Sequence, residues 1–180
     1  MPYIDVPHVP GIRALLAFRP ETAEPLAGLA NALLHAPNSL SAGERELIAA
    51  YVSSLHQCRF CCESHAAVAA CHLHDEALVD LAVADPESAP LSPKLKALLA
   101  LAARVQLGGR AVTEPDVARA RSEGATDVEI HDTVLIAAAF CMFNRYVDGL
   151  GAVTPAERDA YRGRAAQTAR EGYRMSPSPA

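Results

Sequence analysis

Apolar positions recur at helical spacing along most of this chain. Leu26, Leu29, Leu33 and Leu34 form one stripe that stops at Pro37, and Leu47, Ile48, Tyr51, Val52 and Leu55 form the next. Leu78, Leu81 and Ala82 mark a helix over His74 to Ala84, and Leu95, Leu98, Leu99, Ala102 and Val105 carry another to Gly108 and Gly109. The longest strongly apolar run, Thr133 to Phe143, lies inside a stretch from about Asp127 to Leu150 that ends at Gly149 and Gly151. Its apolar middle predicts a central helix. The segment from Pro155 to about Tyr173 is rich in Arg, Glu and Asp and predicts a peripheral one.

Polar residues punctuate these stripes. Ser41 with Glu44, Thr113 with Asp116, Thr126 with Glu129 and Thr154 with Glu157 each place an acid three residues after a hydroxyl, the capping-box signature. Ser92 followed by Pro93 opens a helix where the missing proline N–H costs nothing. Pro86 and Pro90 make Asp85 to Ser92 a loop. No segment alternates as a strand would. The expectation is an all-α, compact bundle of about eight helices, forming one domain over 1–180. Residues 1–20 form a Pro-containing N-terminal arm in this reading, and 174–180 a disordered tail. Ser41 to Gln57 and Arg59 to Cys71 are expected to pack as neighbours, carrying Glu46 toward the Cys58 turn.

Composition narrows the function. Apolar residues make up 51% and the net charge is -5, which excludes wholesale disorder and leaves no basic surplus for nucleic acid. Alanine occurs 36 times, aromatics are 5%, and tryptophan is absent, a balance that favours helices. The apolar run of 11 residues falls short of the roughly 20 that span a bilayer. No secretory leader pattern is present, so a cytoplasmic protein without membrane or nucleic-acid partners is expected. Nor is there a GxGxxG or P-loop pattern, so no nucleotide cofactor is expected. The apolar content exceeds what a small soluble monomer needs and points to a homo-oligomer.

The chemistry lies in the cysteines. Five are present, and Cys58, Cys61 and Cys62 fall within five positions. Cys58 and Cys61 form a CxxC pair one helical turn apart, at a helix start whose free N–H groups favour a thiolate. His65 follows Cys61 by four residues and shares its helix face, where it could accept or relay the thiol proton. A tetrahedral zinc site is incomplete, because Cys58, Cys61 and His65 supply three ligands and no second CxxC supplies a fourth. Buried or incidental cysteines are the plainer alternative. Cys71 and Cys141 sit in alanine-rich contexts and read as core thiols.

Glu46 lies twelve residues before Cys58, and His65 four after Cys61. With Phe143-Asn144-Arg145-Tyr146-Val147-Asp148 further on, this pattern resembles the AhpD-like, carboxymuconolactone decarboxylase superfamily, in its peroxidase-related, alkylhydroperoxidase-like subgroup. The resemblance implies an all-helical fold assembled as a dimer, trimer or hexamer. It also implies a thiol peroxidase or oxidoreductase acting on organic hydroperoxides or protein disulfides. Cys61 attacks and becomes a sulfenic acid, Cys58 resolves it to a disulfide, and Glu46 and His65 relay protons. Reducing equivalents come from a lipoylated protein or another dithiol donor, and a peroxiredoxin is a further partner. No metal or cofactor is implied.

Phe60 departs from that pattern, standing where the best-studied members carry a second relay histidine. Either Glu46 then acts more directly or peroxide turnover is weak. On this reading His65 leaves Cys61 a thiolate near neutral pH, and Cys58, at the more exposed start of the turn, meets the external reductant. His56 reads as a surface or helix-end residue, and Cys62 as neutral packing. Asn144, Arg145 and Asp148 either hold a buried salt bridge or line the pocket mouth. The competing reading is a non-enzymatic oligomerisation or redox-sensing module with a reversible CxxC disulfide.

Overall fold

The computed structural model describes residues 1–173; the tail expected at 174–180 lies outside the described residues. In chain order the helices are α1 (Ile12–Phe18), α2 (Pro20–Leu34), α3 (Ala42–Leu55), α4 (Arg59–Leu73), α5 (Glu76–Ala84), α6 (Pro93–Leu107), α7 (Glu114–Ser122), α8 (Asp127–Gly149) and α9 (Asp159–Glu171). A short 3-10 turn, Gly109–Ala111, joins α6 to α7, and no strand occurs among the described residues. The all-α expectation holds.

Local chemistry explains most of the boundaries. The Ser41 and Glu44 box forms as expected: Glu44 N–H donates to Ser41 Oγ at 3.2 Å, and Ser41 N–H to the Glu44 carboxylate at 2.8 Å. Thr113 with Asp116 and Thr126 with Glu129 cap α7 and α8 in the same way. Glu129 also accepts from Lys94 Nζ at 2.8 Å, which ties the start of α8 to α6. Helix α8 is central, touching α1, α2, α3, α4, α6 and α7. Its Ile136 and Phe140 meet Leu47 and Ile48 of α3 and Leu98 and Leu99 of α6 in the main core.

One feature of the sequence reading gains detail and one needs correction. The proline-containing arm is helical in its second half. Lying between Gly11 and Pro20, the seven-residue α1 is too short to show a periodic stripe, and packing of Ala14, Leu15 and Leu16 stabilises it. Thr154 and Glu157, in turn, do not open the last helix, which starts at Asp159 without a side-chain cap. Tertiary bonds hold the preceding segment irregular instead. Arg59 donates to the Ala156 carbonyl, Tyr161 Oη donates to the Pro155 carbonyl at 2.9 Å, and Arg158 bonds Glu63 on α4 and Asp80 on α5. Carbonyls that a first helical turn would use are thereby taken.

Candidate active site

Helices α3 and α4 form a tight hairpin. The chain reverses at Gln57, which adopts a left-handed φ of 59°, and Cys58 becomes the N-terminal cap residue of α4. So short a connection makes the two helices antiparallel neighbours and brings Glu46 of α3 against His65 of α4.

Glu46 is fully buried, at 0% exposure. Its Oε2 lies 2.7 Å from His65 Nδ1. A buried carboxylate needs donors, so the arrangement favours His65 with its proton on Nδ1, given to Glu46. The lone pair is then on Nε2. Phe140 packs edge-on against the ring, with centroids 4.5 Å apart, and fixes its tilt. The third member of the group is Tyr173, just beyond the end of α9. Its hydroxyl donates to Glu46 at 2.8 Å and lies 3.0 Å from His65 Nδ1. Its backbone N–H is held by Asn31 Oδ1 of α2 at 3.1 Å. Burial and the Glu46 charge push the Tyr173 phenol well up, so it keeps its proton.

Sequence reasoning did not single out Tyr173, nor His35, whose Nε2 is 4.0 Å from Glu46 Oε1. His35 packs edge-on against Tyr173 and tilted against His72. Histidine 72 therefore has a neighbour that its local sequence did not suggest.

Both CxxC thiols are free. They sit in a small second core with Val6, Ala14, Leu15, Val147 and Ala152, contributed by the N-terminal arm, α1, the end of α8 and the segment after it. Cys58 is 0% exposed and Cys61 4%, so the expected exposure of Cys58 is overturned. Residues from the first part of the chain cover it. A hydrogen bond with Cys58, reinforced by burial, pushes the Cys61 thiol well up. This corrects the expectation of a thiolate near neutral pH. Among the described residues no hydrogen bond joins His65 to either thiol.

Cys61 and His65 nevertheless line one cavity of about 220 Å³. Its walls are mostly apolar: Ile12 and Leu16 of α1, Leu26 of α2, Val68 of α4, and Phe140 and Phe143 of α8. Phe60, Tyr161 and Tyr173 complete the aromatic part. Phe60 thus stands in the cavity wall rather than in the proton path, with the backbone of Gly11 directly against its ring. Cys58 is absent from the lining.

The remaining candidates lie elsewhere. Arg145 and Asp148 are exposed, and Arg145 bonds the Cys141 carbonyl, so they form neither a buried salt bridge nor a pocket mouth. Asn144 is buried against Ser53 Oγ at 3.0 Å. His56 caps the end of α3 as expected, with Nε2 at 3.1 Å from Cys141 Sγ. Cys141 and Cys71 are half-buried rather than sealed in the core. Cys62 is half-buried, and burial followed by the Glu63 charge pushes its thiol up to about 11. Among the described residues no group of three or more His, Cys, Asp or Glu is arranged to hold a metal ion. None of the described helices is long and apolar enough to cross a membrane.

Comparison with solved structures gives the same architecture. An alkylhydroperoxidase AhpD core structure, an uncharacterized peroxidase-related protein from Ralstonia eutropha JMP134, superposes with a TM-score of 0.78 at 26% identity. The match covers 88% of this chain and 82% of that one. An uncharacterized peroxidase-related protein from Silicibacter sp. TM1040 also gives 0.78, at 29% identity, over 87% of this chain and 81% of its own. No curated protein sequence matches significantly. The carboxymuconolactone decarboxylase family profile matches residues 20–72 and 73–155, a span that includes the α3–α4 hairpin and α8. With the profile over most of its length and an AhpD-like fold, the chain belongs to the carboxymuconolactone decarboxylase family.

Proposed function

We propose that this protein is a thiol-dependent peroxidase of alkylhydroperoxidase type, with Cys61 as the attacking thiol and Cys58 as the resolving one. The carrying observation is that Cys61 and His65 line the same apolar cavity while His65 is fixed from behind by Glu46. An organic hydroperoxide enters the cavity. His65 Nε2 takes the Cys61 proton as sulfur attacks the terminal peroxide oxygen, the O–O bond breaks, and the alcohol leaves with a proton from the imidazolium. The products are ROH and Cys61 sulfenic acid. Cys58 then displaces water from that sulfenic acid to form the disulfide. An external dithiol, such as a lipoylated protein, reduces it and is itself oxidised to a disulfide.

One feature supports small peroxides over protein disulfides. Neither sulfur is at the surface, so a partner's disulfide would have to enter the cavity to reach Cys61. The reductant has to reach Cys61 through this opening, since Cys58 is sealed. Tyr173 supplies a second proton-bearing group on Glu46, in the role that a histidine at the Phe60 position cannot play here.

Purified protein with cumene hydroperoxide and dihydrolipoamide tests the reading. Turnover lost in both Cys58→Ser and Cys61→Ser supports it. Stoichiometric oxidation without turnover in the wild type assigns the pair to redox sensing instead.

A further inference from the structure

The cavity holds a charge pattern that attack on a neutral peroxide does not use. Arg13 of α1 and Arg164 of α9 both line it, from opposite helices, and no Asp or Glu does. This is unusual on a chain with 21 acidic against 16 basic residues. Among the described residues neither arginine is in a salt bridge or a side-chain hydrogen bond. Arg162, two positions from Arg164 on the same helix, is held by both Glu76 and Asp159. The two cavity arginines also feel one another: burial, then the charge of Arg13, lowers the affinity of Arg164 for its proton. The Glu171 charge offsets part of that effect, and both guanidinium side chains are exposed, so each has donors free for an anion entering the cavity.

We propose that the cavity binds an apolar hydroperoxide bearing a carboxylate, with the carboxylate on Arg13 and Arg164 and the peroxide directed at Cys61. This rests on the peroxidase reading for the direction of the peroxide, but not for the binding of the acid. The apolar wall takes the hydrocarbon part, and the arginines set which end enters first. A carboxylate held bidentately orients the substrate as well as attracting it.

Three peroxides and one unreactive acid test it on the full chain. Cumene hydroperoxide is compared with its para-carboxy derivative and the methyl ester of that derivative. Binding of unreactive 4-isopropylbenzoate is measured by calorimetry. The acid is expected to exceed the ester in kcat/KM by about tenfold or more, through KM, and 4-isopropylbenzoate to bind with an affinity that falls as salt rises. In Arg13→Gln/Arg164→Gln the acid-to-ester ratio should fall to near one and 4-isopropylbenzoate binding should weaken at least tenfold. Equal rates for acid and ester in the wild type, with no 4-isopropylbenzoate binding, overturn the proposal and leave the peroxidase reading standing. Arginine-dependent binding of 4-isopropylbenzoate without turnover of any peroxide supports the acid site and removes the peroxidase reading.

Discussion

Tyr173 donates a hydrogen bond to Glu46 at 2.8 Å, across 127 residues of sequence. The bond places a phenol on the carboxylate that orients His65. Removing it leaves a buried carboxylate short of one donor, a loss of about 1–2 kcal/mol in stability. Tyr173→Phe is therefore expected to lower the melting temperature modestly and to reduce peroxide turnover about tenfold or more. A purely structural role predicts the first effect alone, so the pH profile of turnover separates the two.

Cys61 is expected to alkylate slowly at neutral pH. Its hydrogen bond with Cys58 and its burial both favour the thiol, so the reactive thiolate grows as pH rises. Below the thiol pKa, the iodoacetamide rate at Cys61, read by peptide mass spectrometry, should rise about tenfold per pH unit. Cys58→Ser should let the sulfenic acid accumulate on Cys61, where dimedone labels it after one equivalent of peroxide. A sulfenic acid on Cys58 in Cys61→Ser would reverse the order of attack.

Glu129 links acid stability to the α8 cap. Burial raises its pKa, but the bonds from Lys94, the Thr126 backbone and Ser39 outweigh that effect and bring it down to about 2. A folded pKa below the unfolded value of about 4.3 means the carboxylate stabilises the fold above that pH. The contribution, about 3 kcal/mol, is lost as pH falls from roughly 4.5 to 2. Glu129→Gln should flatten the stability profile across that window in urea titrations.

Gly11 has a φ of 61°, and a Cβ there would run into the Phe60 ring. Gly11→Ala is expected to cost about 1–3 kcal/mol, from the backbone conformation and from displacement of the ring. Because Phe60 forms part of the cavity wall, ligand binding should weaken along with stability. Unchanged ligand affinity in a destabilised Gly11→Ala protein would show that Phe60 does not shape the cavity.

Much of the fold was legible from caps and stripes. Ser41 with Glu44, Thr113 with Asp116 and Thr126 with Glu129 mark helix starts by bonds three residues apart, which a sequence displays directly. The Thr154 and Glu157 pair has the same local form and failed, because Arg59, Tyr161 and Arg158 compete for that segment from outside it. The pairing of Glu46 with His65 is expected from the family resemblance, and the short α3–α4 hairpin is what lets the two residues meet. Tyr173 and Arg164 could not be found that way. Their neighbours in the cavity come from α1, α2, α4 and α8, and the bonds of Tyr173 reach Asn31 of α2 and Glu46 of α3, so nothing in the local pattern of α9 and the residues after it distinguishes them from surface residues. The covering of Cys58 was hidden for the same reason, since its lid includes Val6 and Leu15.

That lid has a consequence for the newly made chain. The two sulfurs are three positions apart and can meet as soon as they are synthesised, whereas their enclosure requires both the arm and the end of α8, 89 residues after Cys58 at Val147. Contacts of such separation form late in folding. Until then the pair is open to any oxidant and reductant in solution; afterwards only molecules that fit the cavity reach it. Selectivity of the thiol chemistry is thus acquired on folding, and a destabilised variant should lose it before it loses the ability to form the disulfide.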